Sequence, residues 1–495
     1  MTNNITVDHT WIQSPMQRLE DVLLDYHKKF LPELLISSTP MGEVFVMSGV
    51  TPSVVSLERW QTPAKWQESR GTCHAFAVVA AIEARYRREY GVVADLSEQY
   101  AFHINKSCEL LDAPIENNTS TTGFQGAGDI VQKFARSPLP VEADAPYMTD
   151  AQMRQLQASI PEAGPGFDTQ EQRDAFEYDV AHIPTAARQR CNYRVKEWAR
   201  IDADLLSIER ALASGHEVIV DVPGHTVLFV GYDGPNKKWL VKDSAPGALV
   251  TYDYSSMIQA AHIVRSVHPA ATSPDLEAAW LGRWNMDHDG WRGHLVIRRT
   301  YNHRDMGAPA TRLGHYYRNG KRYEVNGTVH DGGRQLHFWI ADTTAATPWG
   351  ARVGQEFRAY LFTRDLNNAG GATTWSGIPF GVSLSRHAIA PVAAGAFTPD
   401  QLDGAWAMDH DGWRGTLRVD AAPDGSIRGS YTPNGGTGLP MRGHVGGHGH
   451  ELRIEIDFPK HRQPFTLLVH TRERGVLSGT TVWSGKTFGV NGSRA

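Results

Sequence analysis

The chain has 495 residues, 41% of them hydrophobic and 21% charged, and a formal net charge of −5. That length exceeds what one hydrophobic core supports and predicts about three domains, and the slight acidity gives no reason to expect nucleic acid as a partner. Three cysteines, Cys73, Cys108 and Cys191, exclude a disulfide framework and leave at least one thiol free, which fits a reducing compartment.

The first residues, Met1 to Thr6, lack the basic start and apolar core of a secretory signal. No stretch approaches the ~20 apolar residues of a membrane span. The expected location is therefore cytoplasmic, or outside the cell by export without a classical signal peptide. Residues 1–55 read as a leader or arm, with an amphipathic helix from Met16 to Phe30 and an extended run from Glu43 to Met47.

The most informative stretch runs from Gln67 to Gly91. Cys73 stands where a small-residue loop, Gly71-Thr72, becomes a helix carrying Phe76, Val79, Ala80 and Ile82 and stopping at Gly91. A cysteine there meets unpaired backbone N–H groups and the positive end of the helix dipole, and both favour thiolate. Gln67 can offer a side-chain amide beside the sulfur, as an oxyanion donor would. Taken alone, the stretch fits a buried structural cysteine equally well.

The chain stays mostly helical to Tyr147. Ser97 is placed to cap a helix that begins in Leu96-Ser97-Glu98-Gln99, and Gly123-Phe124-Gln125-Gly126-Ala127 reads as a loop. Residues 148–200 are polar and read as a surface insertion or solvated connector. A helix over Asp204–Ala213 follows, stopped at Gly215. Three strands come next: Glu217–Val222, Thr226–Tyr232 and Lys238–Ser244.

Taken together, these segments resemble the papain-like (C1 family) cysteine peptidases, over about residues 50–265. Gln67, five residues, Cys73, then His74-Ala75-Phe76 is similar to the family's active-site segment, with His74 in place of an aromatic residue. Leu96-Ser97-Glu98-Gln99 matches a family helix start. Gly123 to Ala127 resembles its substrate-binding glycine loop, with Ala127 in place of a glycine. Gly224-His225-Thr226-Val227 and Trp239-Leu240-Val241-Lys242-Asp243-Ser244 resemble its histidine and asparagine strands. Arg70 and Phe124 stand where the family has a disulfide-forming pair, and the tryptophan that shields the family's His–Asn contact is missing after Ser244.

The resemblance implies an α+β papain-like fold of two lobes, one helical and one a β-barrel, over residues 56–268. It implies catalytic residues Cys73, His225, Asp243 and Gln67, and substrate contacts from Gly71, His74, Gly126, Ala127 and Gly224. It implies no cofactor and no metal. The chemistry needs each type. A thiolate attacks the carbonyl, an imidazole moves the proton, and a third group fixes the imidazole's tautomer. Asp243 can accept from the ring N–H as an amide oxygen does, and its charge favours the imidazolium. In the family a longer N-terminal propeptide covers the cleft, so residues 1–55 are either a short blocking segment or a structural arm.

Past Pro274 the composition shifts to Gly, Trp, His and Arg, and an internal repeat emerges. Gly282 to Gly293 recurs as Gly404 to Gly415, and Gly371 to Gly377 returns as Gly479 to Gly485. Alternating short runs with Gly and Asn turns predict two all-β repeats, residues 276–386 and 400–495. Asp289-Gly290 and Asp411-Gly412 are hairpin-turn signals. Each repeat loosely resembles lipocalin- or avidin-type small barrels. The Asp-His-Asp triplets suit a tight turn better than a metal, and the Trp and Arg residues suit core and rim.

The function expected is a peptidase that hydrolyses peptide bonds through a thioester acyl-enzyme, with protein or peptide as substrate. The β-repeats would bind a target protein or glycan. The alternatives are a thiol amidase or transferase on a non-standard amide, or a catalytically inert binding protein.

Overall fold

The structure is a computed structural model that describes residues 36–38, 44–46, 51–112, 127–158, 180–302, 308–346, 352–388, 399–473 and 475–495. The expected helix over Met16–Phe30 lies outside the described residues, as do Gly123 to Gly126. The extended run near Glu43 contains a short strand, Val44–Val46 (β2), paired antiparallel with Ile36–Ser38 (β1). The chain gathers into two compact units. One draws on residues 1–98, 122–135 and 193–270, and the other on 99–121, 136–192 and 271–495.

The first unit is built on an antiparallel sheet with the order β4-β9-β5-β6-β7-β8, where β3 also pairs β6. The strands are Val54–Ser56 (β3), Val195–Ile201 (β4), Val218–Val222 (β5), His225–Asp233 (β6), Lys238–Asp243 (β7), Ala248–Asp253 (β8) and Ala260–Val267 (β9). β5 and β6 are nearly continuous in buried, β-branched and aromatic residues, as strands covered on both faces are. Against β6 and β9 lies helix α1, Cys73–Tyr90. Five alanines in its sequence favour the helix and let its backbone approach the sheet closely. Gly91 ends it at φ 67°, a left-handed cap that an alanine would strain.

The core of this unit gathers Ala84 from α1 with Val218, Val220, Val227, Phe229, Trp239, Val241 and Ile263 from the sheet. A buried ion pair, Arg88 to Glu217 at 3.3 Å, ties α1 to the entry of β5. Glu98–Asp112 (α2) begins one residue after Ser97, where the sequence places a cap. All of α2 but Glu98 belongs to the second unit, while Ala127–Arg136 (α3, as far as Ala135) and Leu205–Ala213 (α6) belong to the first. Asp204 caps α6 by accepting the Ser207 N–H at 2.9 Å.

In the second unit are Asp150–Ala158 (α4) and Thr185–Gln189 (α5). The segment expected to be a surface connector is not one throughout. Val180, Ile183, Ala187 and Cys191 are buried in the second unit, and Val195 is buried in the first. The polar composition of residues 148–200 hid this short apolar sequence.

The second unit also carries two closed, up-and-down, eight-stranded barrels. The first has strands Gly282–His288, Trp291–Ile297, Arg312–Arg318, Lys321–His330, Gln335–Ala346, Arg352–Leu361, Asn368–Trp375 and Ile378–Ser385. The second has Gly404–His410, Trp413–Ala421, Ser426–Pro433, Leu439–Val445, Glu451–Phe458, His461–Val469, Val476–Trp483 and Lys486–Arg494. The hairpin signals hold in both. Asp289 and Gly290 have φ 53° and 84°, Asp411 and Gly412 have 54° and 86°, and each pair closes a two-residue loop between a His and a Trp.

Both barrels are filled rather than hollow along their tryptophan axis. Trp284 and Trp406 are fully buried. Each is covered by an arginine from the chain's return, Arg386 at 3.8 Å and Arg494 at 4.2 Å from the ring centres. These arginines lie outside the repeated segment; in the repeated Trp-Arg-Gly, Trp413 is 57% exposed and Trp291 half-buried, so only the first tryptophan of each copy is a core residue.

Candidate active site

Cys73 is the first residue of α1. The first N–H groups of a helix have no intrahelical acceptor, so the sulfur stands beside unsatisfied donors and the positive end of the dipole. Cys73 is half-buried, whereas Cys108 and Cys191 are buried. Burial pushes the Cys191 thiol well up, so it is protonated and inert. Of the three thiols, Cys73 is the one that solvent reaches.

His225 is the first residue of β6, delivered by a two-residue turn in which Gly224 takes φ 73°. Asp243 ends β7. The ring Nε2 of His225 lies 2.7 Å from Asp243 Oδ1. That leaves Nδ1 uncommitted to Asp243, and the Cys73 thiol is the second influence that raises the ring's pKa. The hydrogen bond to Asp243, and then the one to Cys73, raise the His225 pKa from 6.5 to about 9 against the effect of burial. Near neutral pH this imidazole carries its proton.

Asp243 is held as a carboxylate. Burial works against its charge, but His225, the Ala245 N–H at 2.9 Å and the Tyr252 hydroxyl at 2.9 Å outweigh burial and keep its pKa below the ordinary value. Burial and the neighbouring Asp243 push the Tyr252 phenol up to about 12, so it remains a donor. Sequence reasoning missed Tyr252. Nothing around it marks it locally. It reaches the carboxylate because β7 and β8 pair as a hairpin with Asp243 opposite Ala248.

Gln67 is buried and clamped on three sides. Its backbone N–H donates to the Ser244 carbonyl at 3.0 Å, and the Ser244 hydroxyl donates to its Oε1 at 2.6 Å. One hydrogen of its Nε2 goes to the Arg70 carbonyl at 2.9 Å. Ser244, the residue after Asp243, thus fixes Gln67 and couples both ends of the site.

The remaining expected residues are placed as follows. Gly71 and Gly224 are exposed, Ala127 opens α3, and Gly126 lies outside the described residues. His74 is 2% exposed and turned inward, where a side chain cannot meet a ligand without movement.

Beneath the site, Lys65 reaches Glu83 at 3.3 Å, Asp95 at 2.7 Å and Glu98 at 2.9 Å. These carboxylates outweigh burial and hold the lysine charged. Lys242, next to Asp243, donates to Thr62 at 2.9 Å, and Thr62 in turn donates to Glu83. This charged layer links α1 to β7, the elements that carry the sulfur and the carboxylate. A small void of about 10 Å³ lies between them, lined by Lys65, Phe76, Glu83, Thr226 and Lys242 among others.

A thiol, an imidazole and a carboxylate are the groups that nucleophilic acyl transfer uses.

No protein-family model matches the chain, and no curated protein matches it. Solved structures similar to it include xylellain, a cysteine protease from Xylella fastidiosa, at 16% identity and a TM-score of 0.33 over 44% of this chain and 88% of that one. Digestive procathepsin L 3 of Tenebrio molitor larval midgut is similar at 14% identity and a TM-score of 0.29, over 51% and 79%. A cysteine protease of Carica candamarcensis is similar at 15% identity and a TM-score of 0.27, over 44% and 100%. These neighbours are cysteine proteases, at a level of likeness too low to assign residues or chemistry. Among the described residues no helix is long and apolar enough to cross a membrane.

Proposed function

We propose that residues 56–268 are a two-lobed, papain-like cysteine peptidase that cleaves peptide bonds in protein or peptide substrates. One observation carries this reading. A single imidazole, His225, bonds the Asp243 carboxylate through Nε2 at 2.7 Å, and its pKa is raised by Asp243 and by the Cys73 thiol together. The elements that deliver these groups were expected to do so from the sequence.

In this reading His225 takes the Cys73 proton, and the thiolate–imidazolium pair forms before substrate arrives. The thiolate attacks the scissile carbonyl. The helix-start N–H groups at Cys73, with the Gln67 side-chain amide, meet the developing oxyanion. His225 gives its proton to the leaving amine, which leaves a thioester on Cys73. It then takes a proton from water as water attacks that thioester, and returns it to sulfur on release of the acid. Asp243 holds the ring orientation and remains ionised throughout. Tyr252 and Ala245 hold Asp243.

The test is hydrolysis of a peptide library by the full chain and by Cys73→Ala. The expected result is cleavage that the substitution abolishes while the fold, read by circular dichroism, stays intact. Undiminished turnover by Cys73→Ala would remove the residue from the mechanism. Absence of cleavage together with failure of an epoxysuccinyl reagent to label Cys73 would leave a binding protein.

We assign the barrels a role in target binding. Trp375 and Trp483 stand at equivalent hairpin tips, 59% and 51% exposed, and an exposed indole is a surface on which a sugar or an apolar side chain stacks. A glycan and peptide array on the full chain, against Trp375→Ala with Trp483→Ala, tests this. Signals unchanged by both substitutions would refute it.

A further inference from the structure

The two barrels hold each other by one motif used twice. Thr363 of the first barrel donates from its N–H and, at 2.8 Å, from its hydroxyl to Asp411 of the second. Thr471 of the second donates in the same way to Asp289 of the first, at 2.6 Å from its hydroxyl. Arg364 stacks on Trp413 at 4.0 Å and Arg472 on Trp291 at 4.3 Å. Phe362-Thr363-Arg364-Asp365 and His470-Thr471-Arg472-Glu473 are therefore the same clasp, related by an approximate two-fold axis. They differ at two residues: the first is phenylalanine in one and histidine in the other, and the last is Asp365 in one and Glu473 in the other.

The chemistry at the two ends diverges accordingly. In one copy, Asp409 accepts the Gly412 N–H and Arg414 at 2.8 Å each, with Asp365 3.9 Å from Arg414. Arg414 is exposed there, where solvent screens the charges. In the other copy, Asp287 is fully buried and accepts the Gly290 N–H at 2.8 Å and Arg292 at 3.2 Å. Arg292 also reaches Glu473 at 2.7 Å. Two carboxylates share one guanidinium in a place that water does not freely solvate, and a bound cation is one way to offset the second carboxylate.

His470 is the residue that the duplication does not explain. Its side chain is fully buried. Nε2 lies 2.9 Å from the Ser478 hydroxyl. Nδ1 faces Asp287 Oδ1 at 3.3 Å and has no hydrogen-bond partner among the described residues. This nitrogen and one oxygen each from Asp287 and Glu473 lie within 4.8 Å of one another. When Nε2–H donates to Ser478, Nδ1 is left with a lone pair directed at the two carboxylates. A second partner that fixes the tautomer in this way is what a metal-ligating imidazole has.

We propose that Asp287, His470 and Glu473 form a divalent-metal site between the barrels. One imidazole and two carboxylates suit a borderline ion such as Zn²⁺, Co²⁺ or Mn²⁺. They do not suit Ca²⁺, which takes six to eight oxygens. The bound ion offsets the second carboxylate and locks one half of the clasp. The other half has Phe362 and no such nitrogen.

The experiment uses the full chain carrying Cys73→Ser, which removes the accessible thiol, after treatment with chelator. Equilibrium dialysis against Zn²⁺, followed by elemental analysis, should find about one tight ion per chain. His470→Phe, which installs the residue the sister barrel already uses, should weaken that binding at least about tenfold, and Glu473→Gln should do likewise. Asp365→Asn, at the matching position of the other half, should leave it unchanged. Co²⁺ added in place of Zn²⁺ should give visible absorption bands that His470→Phe abolishes. The sequence has 22 histidines, so an ion retained by both His470→Phe and Glu473→Gln is held elsewhere and overturns the proposal. Absence of tight binding to the chelator-treated parent overturns it as well. Where His470→Phe misfolds by circular dichroism, Glu473→Gln decides.

Discussion

Replacing Asp243 with Asn isolates the charge from the hydrogen bond. The amide keeps an oxygen that can accept from His225 Nε2–H, at the 2.7 Å seen for the carboxylate, and from the Ala245 N–H. What it loses is the negative charge, and that charge belongs to the residue that does most to raise the His225 pKa from 6.5 to about 9. The hydrogen bond to Cys73 survives, so the imidazolium is weakened without being lost. The alkaline limit of the thiolate–imidazolium pair should therefore move down by about one pH unit or more. Alkylation of Cys73 by iodoacetate reads this without a substrate, because the anionic reagent is drawn to the imidazolium and Cys108 and Cys191 are buried. The parent rate should fall as pH rises through about 9, and that of Asp243→Asn should fall earlier. Peptide hydrolysis near neutral pH should drop by about tenfold or less. Superimposable alkylation profiles would refute the assignment of the shift to Asp243. Complete loss of hydrolysis with the thiol still reactive would show that the charge acts in turnover and not only in forming the pair.

Tyr252→Phe removes one donor to the same carboxylate. It should raise the Asp243 pKa and move the acid limb of the hydrolysis profile upward while lowering kcat only modestly; an unmoved acid limb would make the hydroxyl purely structural. The folded-state pKa of His225 lies above its ordinary value. Its contribution to stability is therefore fully present below about 6.5 and lost as pH rises through about 9. Urea midpoints should decline across that window, and Asp243→Asn should flatten the decline. Gly231→Ala should destabilise the first unit by about 3 kcal/mol or more, because its Cβ would collide with the Val55 carbonyl where β3 joins β6; a urea midpoint within error of the parent would contradict the register. Asp289→Ala combined with Asp411→Ala removes both clasps and should separate barrel unfolding into two calorimetric transitions, whereas a single unchanged transition would mean that the clasps contribute nothing.

Much of the first unit could be read locally because its signals are local. Helix α1 is announced by the Gly71-Thr72 turn, the alanine-rich run and the Gly91 stop. His225 and Asp243 are reached through the likeness of their segments, Gly224 to Val227 and Trp239 to Ser244, to those of a known family. What the sequence hid depends on pairing between strands or on burial that composition disguises. Tyr252 reaches Asp243 only through the register of β7 with β8. Ser244 clamps Gln67 across 177 positions of sequence. The apolar positions from Val180 to Val195 are too few to stand out in a polar stretch. His74 reads as a cleft residue from its place beside Cys73, but one step along a helix turns a side chain by about 100°, and here that step points it inward.

The repeat shows the same division between what is local and what is not. The turns at Asp289 and Asp411 are visible in each copy, since a two-residue loop with both residues at positive φ favours Asp-Gly. That each turn aspartate is the acceptor for a threonine of the opposite barrel is visible in neither copy. It depends on the two copies folding against each other through reciprocal contacts about an approximate two-fold axis. Such an interface presents every position twice, so a difference between copies is a difference in what one position does. Phe362 against His470 is such a difference. Apolar packing explains a phenylalanine at that position but not a buried imidazole in its place, with its second nitrogen committed to Ser478 and its first aimed at two carboxylates. The duplication supplies its own control, and it places the second function of this interface on the half that departs from the symmetry.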